Sequence, residues 1–138
     1  MRAIVVMLMF PIVSFAASAP SILDGSWKLS ARICSDGRSP MDNLNLKETD
    51  YQTDFSESNF KFHGHINLCD FSADGFFKLE GKVLTVYYTN NSNCRGPGPK
   101  GAFKGAIFIN ETEFSTIANA GTACRPGESL IATFTKQK

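Results

Sequence analysis

The chain has 138 residues, with 14 basic and 13 acidic side chains. A charge balance so close to zero argues against a protein that binds nucleic acid or a membrane surface, since such proteins present a basic face. The length is enough for one domain with one core and too short for two.

The amino terminus has the features of an export signal. Arg2 precedes an apolar run over residues 3–10, and small residues follow at 16–19. This succession is typical of a secretory signal peptide, which we place at residues 1–19 with a cleavage site left open by a few residues. A membrane anchor is disfavoured because Pro11 and Ser14 interrupt a run shorter than the roughly 20 apolar residues that span a bilayer. We therefore expect a secreted or periplasmic protein with no integral membrane segment.

The remaining residues, 20–138, are expected to form a single all-β domain. Alternation of apolar and polar residues predicts strands, and no helical period is found. The predicted strands cover residues 27–33, 43–48, 59–68, 75–79, 82–89, 102–109, 112–118 and 130–136. In the first strand the face expected to be buried comprises Trp27, Leu29, Ala31 and Ile33.

Eight short strands, each with one apolar face, bury that face by closing into an antiparallel up-and-down barrel, which also removes exposed edges. A β-sandwich is the alternative architecture. The short predicted turns favour the meander, because they leave little chain for a Greek-key crossing.

Four cysteines in an exported chain predict two disulfides. In the meander each cysteine adjoins the end of an odd-numbered strand, so all four are expected at one rim of the barrel. Two pairings would join neighbouring loops there. We favour the pairing of sequence neighbours, which is Cys34–Cys69 with Cys94–Cys124. The alternative left open is Cys34–Cys124 with Cys69–Cys94. A zinc site is disfavoured because no two cysteines are closer than 25 residues.

The start of the domain resembles a known class of barrel. The residues Asp24-Gly25-Ser26-Trp27 resemble the Gly-x-Trp opening of lipocalins and calycin-like barrels. The resemblance implies that Trp27 closes the floor of the barrel and that Gly25 lets the chain turn beneath it. It also implies a binding protein that captures a small apolar or amphipathic ligand in the barrel mouth. Small secreted bacterial barrels of this plan include protease and lysozyme inhibitors, so an inhibitor acting through its rim loops is the alternative.

Candidate binding residues come from the interior and from the rim. The aromatic side chains of Phe62, Tyr88 and Phe103 are expected inside, where they either line a pocket or fill a small barrel. The Gly- and Pro-rich loop over residues 94–101 carries Arg95 and Lys100, and a later loop carries Arg125. These cations are expected at the rim, where they would suit an anionic head group or an acidic partner. Acidic residues expected near the same rim offset the charge: Asp36, Asp70, Asp74 and Glu128.

Two histidines are the only candidates for catalysis or metal binding. His63 and His65 alternate on one predicted strand and share a polar face. A pair of this kind could ligate a metal or exchange protons, but no third ligand has a matching spacing. We expect no metal, no cofactor and no enzymatic activity. The expected partners are a small ligand or a partner enzyme, and we expect a monomer.

Overall fold

The structure, a computed structural model, describes residues 21–42, 50–66 and 69–138. The predicted signal peptide and the predicted strand at 43–48 lie outside these residues. Within the described ranges the chain forms no helix, and therefore none that could cross a bilayer. The strands are β1 (Gly25–Cys34), β2 (Asp50–Ser56), β3 (Asn59–Ile66), β4 (Cys69–Glu80), β5 (Val83–Asn93), β6 (Gly96–Pro97), β7 (Gly101–Ile109), β8 (Glu113–Asn119) and β9 (Ser129–Lys136).

The strands form a closed barrel. Eight of them pair in the order β4-β3-β2-β1-β9-β8-β7-β5, and β5 returns to β4. All pairs are antiparallel, and the short β6 pairs only with the end of β5. The predicted eight-stranded up-and-down barrel is therefore confirmed, and the sandwich alternative is excluded. With β6 set aside, every barrel pair joins strands that follow one another along the chain, except the pair of β1 with β9.

The strand boundaries differ from the prediction most in two strands, β2 and β4. β2 covers Asp50–Ser56, a segment that the sequence prediction left as a connection. Its alternation through Tyr51, Thr53 and Phe55 is regular, but the intervening acidic and amide side chains hid it. β4 begins at Cys69 instead of residue 75, because Phe71 and Ala73 extend the inward alternation of the predicted strand.

The inward face of β1 also differs from the prediction. The pairing of β1 with β9 shifts register between Leu29 and Ala31, so the side-chain alternation slips by one residue. As a result Ile33 is 42% exposed, and Ala31 is exposed too. The prediction that these two residues are buried with Trp27 and Leu29 is wrong. Arg32 takes the inward position in their place.

All four cysteines form disulfides, and strand direction brings both bridges to the same rim. The pairs are Cys34–Cys124 and Cys69–Cys94. The pairing that we favoured from the sequence is wrong, because β2 and β3 lie between the strands that carry Cys34 and Cys69. β1 instead adjoins β9, so Cys34 lies beside the loop that leads into that strand. We call this end of the barrel the disulfide rim.

The opposite end of the barrel is closed by Trp27. Its ring is fully buried, and its Nε1–H donates a hydrogen bond of 2.7 Å to the carbonyl oxygen of Leu23. The ring makes an edge contact with Phe114, with centroids 4.8 Å apart. Outside it, the Nζ of Lys136 lies 5.4 Å from the ring centroid, a cation–π distance. Gly25 has a φ of 130°, and a Cβ there would approach Lys136 to 3.1 Å.

We expect Gly75→Ala to destabilise the barrel by at least about 2 kcal/mol, as over-packing does. Gly75 lies at a register shift of β4 against β5, and a Cβ built on it would lie 1.8 Å from the carbonyl oxygen of Tyr87. Urea unfolding of both Gly75→Ala and the control Gly101→Ala measures the effect. At Gly101 the nearest atom to a new Cβ is a Tyr88 ring carbon at 3.8 Å, so that variant should stay close to wild type. Equal stability of the two variants would contradict the close approach.

The two disulfides should contribute unequally to stability. They close loops with sequence separations of 90 and 25 residues. On the chain-entropy model, the Cys34→Ser/Cys124→Ser double variant should lose about 4.5 kcal/mol and Cys69→Ser/Cys94→Ser about 3.5 kcal/mol. Unfolding free energies in urea measure the difference. A larger loss for the second pair would show that strain or residual structure outweighs loop length.

Candidate functional site

The barrel encloses a cavity of about 250 Å³. Its wall is built mainly from inward side chains of the strands, because alternation points every second residue to the interior. The aromatic part of the wall consists of Phe55, Phe60, Phe62, Phe103, Phe114 and Phe134. Aliphatic side chains complete it: Leu29, Leu84, Val86 and Leu130. The interior is therefore not filled by the aromatic residues that the sequence places there.

The cavity extends toward the disulfide rim. Its wall includes Asn119, the last residue of β8, and Leu130, near the start of β9. Both strand ends lie at that rim. At the other end Trp27 and Leu23 are fully buried beneath Phe114, which closes the floor. A ligand would therefore enter from the disulfide rim.

Arg32 is the charged side chain in the cavity wall. Its side chain is 13% exposed, and it binds Asp42 through two hydrogen bonds. Nη1 donates to Oδ1 at 2.8 Å and Nη2 donates to Oδ2 at 2.6 Å. A guanidinium carries five N–H donors, so this contact with Asp42 engages two of them. Asp42 thus fixes the guanidinium and leaves donors for another acceptor.

Four hydroxyl groups belong to residues of the same wall. Thr53 and Thr116 are the buried polar residues of the described chain, with 5% and 7% of their surface exposed. Tyr51 and Tyr88 add two phenols. None of the four side chains has a hydrogen-bond partner among the residues that the structure describes. Among the described residues, the only fully buried side-chain oxygen or nitrogen without a hydrogen bond is Oδ1 of Asp24. The four hydroxyls are therefore open to the cavity, where water or a ligand can be their partner.

The two phenols and the guanidinium interact electrostatically. Burial raises the pKa of Tyr51 well above its ordinary value, the nearby Tyr88 raises it further, and Arg32 acts in the opposite direction. Burial also raises the pKa of Tyr88. Both phenols are therefore protonated at neutral pH and available as hydrogen-bond donors. The ring of Tyr51 is held by an edge contact with Phe62 at a centroid distance of 4.2 Å.

The binding residues expected from the sequence fall into two groups. Phe62, Tyr88 and Phe103 lie in the cavity wall. The cations Arg95, Lys100 and Arg125 are exposed on loops and take no part in that wall. The structure thus brings the aromatic candidates together and leaves the cationic ones outside the cavity.

The disulfide rim carries a fixed hairpin beside the cavity. β6 pairs with the end of β5, and the N–H of Gly98 donates to the carbonyl oxygen of Asn91 at 2.6 Å. The disulfide of Cys94 with Cys69 ties this hairpin to β4. Arg95 is exposed at its tip.

The two histidines lie on the outer face of β3. The Nδ1 of His65 is 2.6 Å from the Oδ1 of Asp70 on β4, while His63 lies opposite Ser72. An acid therefore faces one histidine. No group of three metal-ligating side chains is found in the part of the chain that the structure describes.

Sequence reasoning missed several residues of the cavity wall as candidates, among them the side chains of Arg32, Tyr51, Thr53 and Thr116. Arg32 was missed because strict alternation from Trp27 points it outward, and only the register shift in β1 turns it in. Tyr51 and Thr53 were missed because β2 was not recognised, although their alternation with Phe55 was a usable signal. Thr116 lies in the predicted strand at 112–118, but it carries no signal of a site because threonine is common in strands.

The chain has no significant match among known protein families, curated proteins or solved structures. The function is therefore argued from the geometry of the cavity.

We expect stability to fall above pH 10 in a way that depends on Tyr51. Its pKa is higher in the folded protein than the value near 10 of an unfolded tyrosine. The unfolded state therefore loses the proton first, and the stabilisation present below pH 10 is lost as the pH rises toward the folded pKa. The urea midpoint should therefore fall less between pH 8 and pH 11 in Tyr51→Phe than in wild type. Tyr87→Phe, on the outer face, is the control for loss of one phenol, and an unchanged pH dependence in Tyr51→Phe would contradict the burial.

Proposed function

We propose that the protein is a secreted, non-enzymatic carrier of lipocalin-like type that binds a small amphipathic molecule inside its barrel. The observation that carries the proposal is a 250 Å³ apolar cavity lined by hydroxyls without protein partners. A wholly apolar cavity would suit a hydrocarbon, but these hydroxyls would lose hydrogen bonds on binding one. A molecule with both an apolar body and a polar group satisfies the two parts of the wall.

Binding rather than catalysis fits the placement of the titratable groups. The acid–base pair formed by His65 and Asp70 lies on the outer face of the sheet, with the cavity on the other side. Around the cavity, the titratable groups are Arg32 and two protonated phenols. None of these is an acid or base poised for proton transfer near neutral pH.

Export is part of the proposal. Two disulfides are compatible with an extracellular or other oxidising compartment. The amino-terminal sequence, with its charge, apolar run and small residues, has the composition of a secretory signal. A secreted or periplasmic location suits a carrier that meets its ligand outside the cytoplasm.

A protein inhibitor that acts through the rim is the second candidate. The hairpin at Arg95 favours it, because a disulfide and a short strand pairing hold this exposed loop in one conformation. A loop ordered before contact loses little entropy on binding a partner. In that case the cavity would be incidental, and binding would depend on Arg95 and Lys100.

Binding of 1-octanol distinguishes the two functions. Trp27 is the only tryptophan and packs on Phe114 in the cavity wall, so its fluorescence reports events inside the barrel. We expect saturable one-to-one binding by calorimetry with a change in this fluorescence. Ala132→Leu, which fills the cavity, should weaken binding about tenfold or more, whereas Ala102→Leu on the outer surface should not.

The same thermal unfolding profile for wild type and Ala132→Leu is the control for folding. Absence of saturable binding by the folded, oxidised protein would contradict the carrier function and favour the inhibitor. An affinity for 1-octanol that Ala132→Leu does not change would place the site outside the barrel.

A further inference from the structure

The cavity wall has an uneven distribution of charge. Its charged side chain is Arg32, and neither aspartate nor glutamate is among the residues that line it. The carboxylate nearest to Arg32 belongs to Asp42, which is in the connection beyond β1 and is not part of the wall. A ligand inside the barrel therefore meets the Arg32 guanidinium and phenol donors, and no carboxylate in the wall itself. Asp42 partly offsets the charge of Arg32 from outside the wall.

Arg32 keeps binding capacity in spite of its contact with Asp42. That contact uses one N–H of each terminal nitrogen. The remaining three donors of the guanidinium, including Nε–H, have no partner among the described residues. Because both oxygens of Asp42 hold the guanidinium plane, a second acceptor would find it already oriented, and little side-chain entropy would be lost on binding.

The charged group and the phenol of Tyr51 lie toward one end of the cavity. Arg32 is near the end of β1 and Tyr51 is near the start of β2, so both lie toward the disulfide rim. Tyr88 is close enough to Tyr51 to raise its pKa. Phe55 and Phe114 lie toward the closed floor, where Phe114 packs on Trp27. A bound amphipathic molecule would therefore be oriented, with its polar group toward the disulfide rim.

The volume limits the size of the apolar body. A cavity of roughly 150 Å³ is enough for benzene, so a cavity of about 250 Å³ suits a body of roughly eight to ten carbon atoms. Longer chains would have to protrude through the disulfide rim.

We propose that the ligand is a monocarboxylate with an apolar body of roughly eight to ten carbons, whose carboxylate binds Arg32 with Tyr51 and Tyr88 as further donors. This inference rests on the proposed carrier function and narrows its ligand class. An amine of the same size would place a second positive charge beside Arg32 without a counter-ion in the wall. An alcohol would satisfy the hydroxyls and could accept a hydrogen bond from Arg32, but it would bring no negative charge to pair with the guanidinium.

Three ligands of eight carbon atoms each test the head group on the unaltered protein. Octanoate, 1-octanol and octylamine are titrated at pH 7.5 by calorimetry and by the fluorescence of Trp27. We expect octanoate to bind about tenfold to a hundredfold more tightly than 1-octanol, and octylamine to bind most weakly. The preference for octanoate should shrink as salt is raised, though less than for an exposed pair, because Arg32 is mostly shielded from solvent.

A pair of arginine variants tests the residue. Arg38 also contacts an aspartate, with its Nε 3.8 Å from Asp36, but it lies outside the cavity. Arg32→Gln should remove the preference for octanoate over 1-octanol and leave 1-octanol binding within about threefold of wild type. Arg38→Gln should leave both affinities unchanged. Since the head-group series needs no variant, the proposal can be tested even if Arg32→Gln folds poorly.

The outcomes separate this inference from the carrier function. Equal affinity for octanoate and 1-octanol, or tighter binding of octylamine, would contradict a carboxylate ligand and leave the carrier function intact. A preference for octanoate that survives in Arg32→Gln but disappears in Arg38→Gln overturns the site and places the anion on the outer rim. Failure of all three ligands to bind the folded protein overturns the carrier function itself.

Discussion

The pairing of β1 with β9 is the contact on which the rest of the barrel depends. It joins the first and last strands, whereas every other pair joins barrel strands that are neighbours along the chain. The disulfide of Cys34 with Cys124 crosses this seam at the open end. At the closed end, Lys136 of β9 lies over the ring of Trp27 in β1. Without this seam the sheet would have two free edges and no enclosed interior.

The register shift within that seam determines the chemistry of the interior. A slip of one residue exchanges the two faces of a strand. In β1 the slip follows Leu29, so the half of the strand near the floor contributes apolar side chains and the half near the rim contributes Arg32. The cost of bringing a guanidinium into the wall is lowered by Asp42, which binds it from the rim side. The result is an apolar cavity with a positive charge at its mouth.

The sequence predicts the architecture well and the interior poorly, for physical reasons. Periodicity and short turns are local features, so the barrel, the common rim of the cysteines and the inward positions of Phe62 and Phe103 follow from them. The register shift in β1 depends on how β9 pairs with it, a contact more than 90 residues away in the chain. The disulfide pairing likewise depends on which strands become neighbours at closure. The interior hydroxyls of Thr53 and Thr116 are recognisable as a site only once their lack of partners is known.

The orientation of a bound ligand tests this account most directly. Nuclear Overhauser effects between octanoate and the ¹³C-labelled protein report which protons lie close together. We predict contacts from the methylene beside the carboxylate to Leu130 and the ring of Tyr51, and from the terminal methyl group to Leu84 and the ring of Phe114. Contacts confined to the exposed rim loops, such as Pro97 and Pro126, or a ligand bound with its methyl group toward Arg32, would contradict an interior organised by the slip in β1.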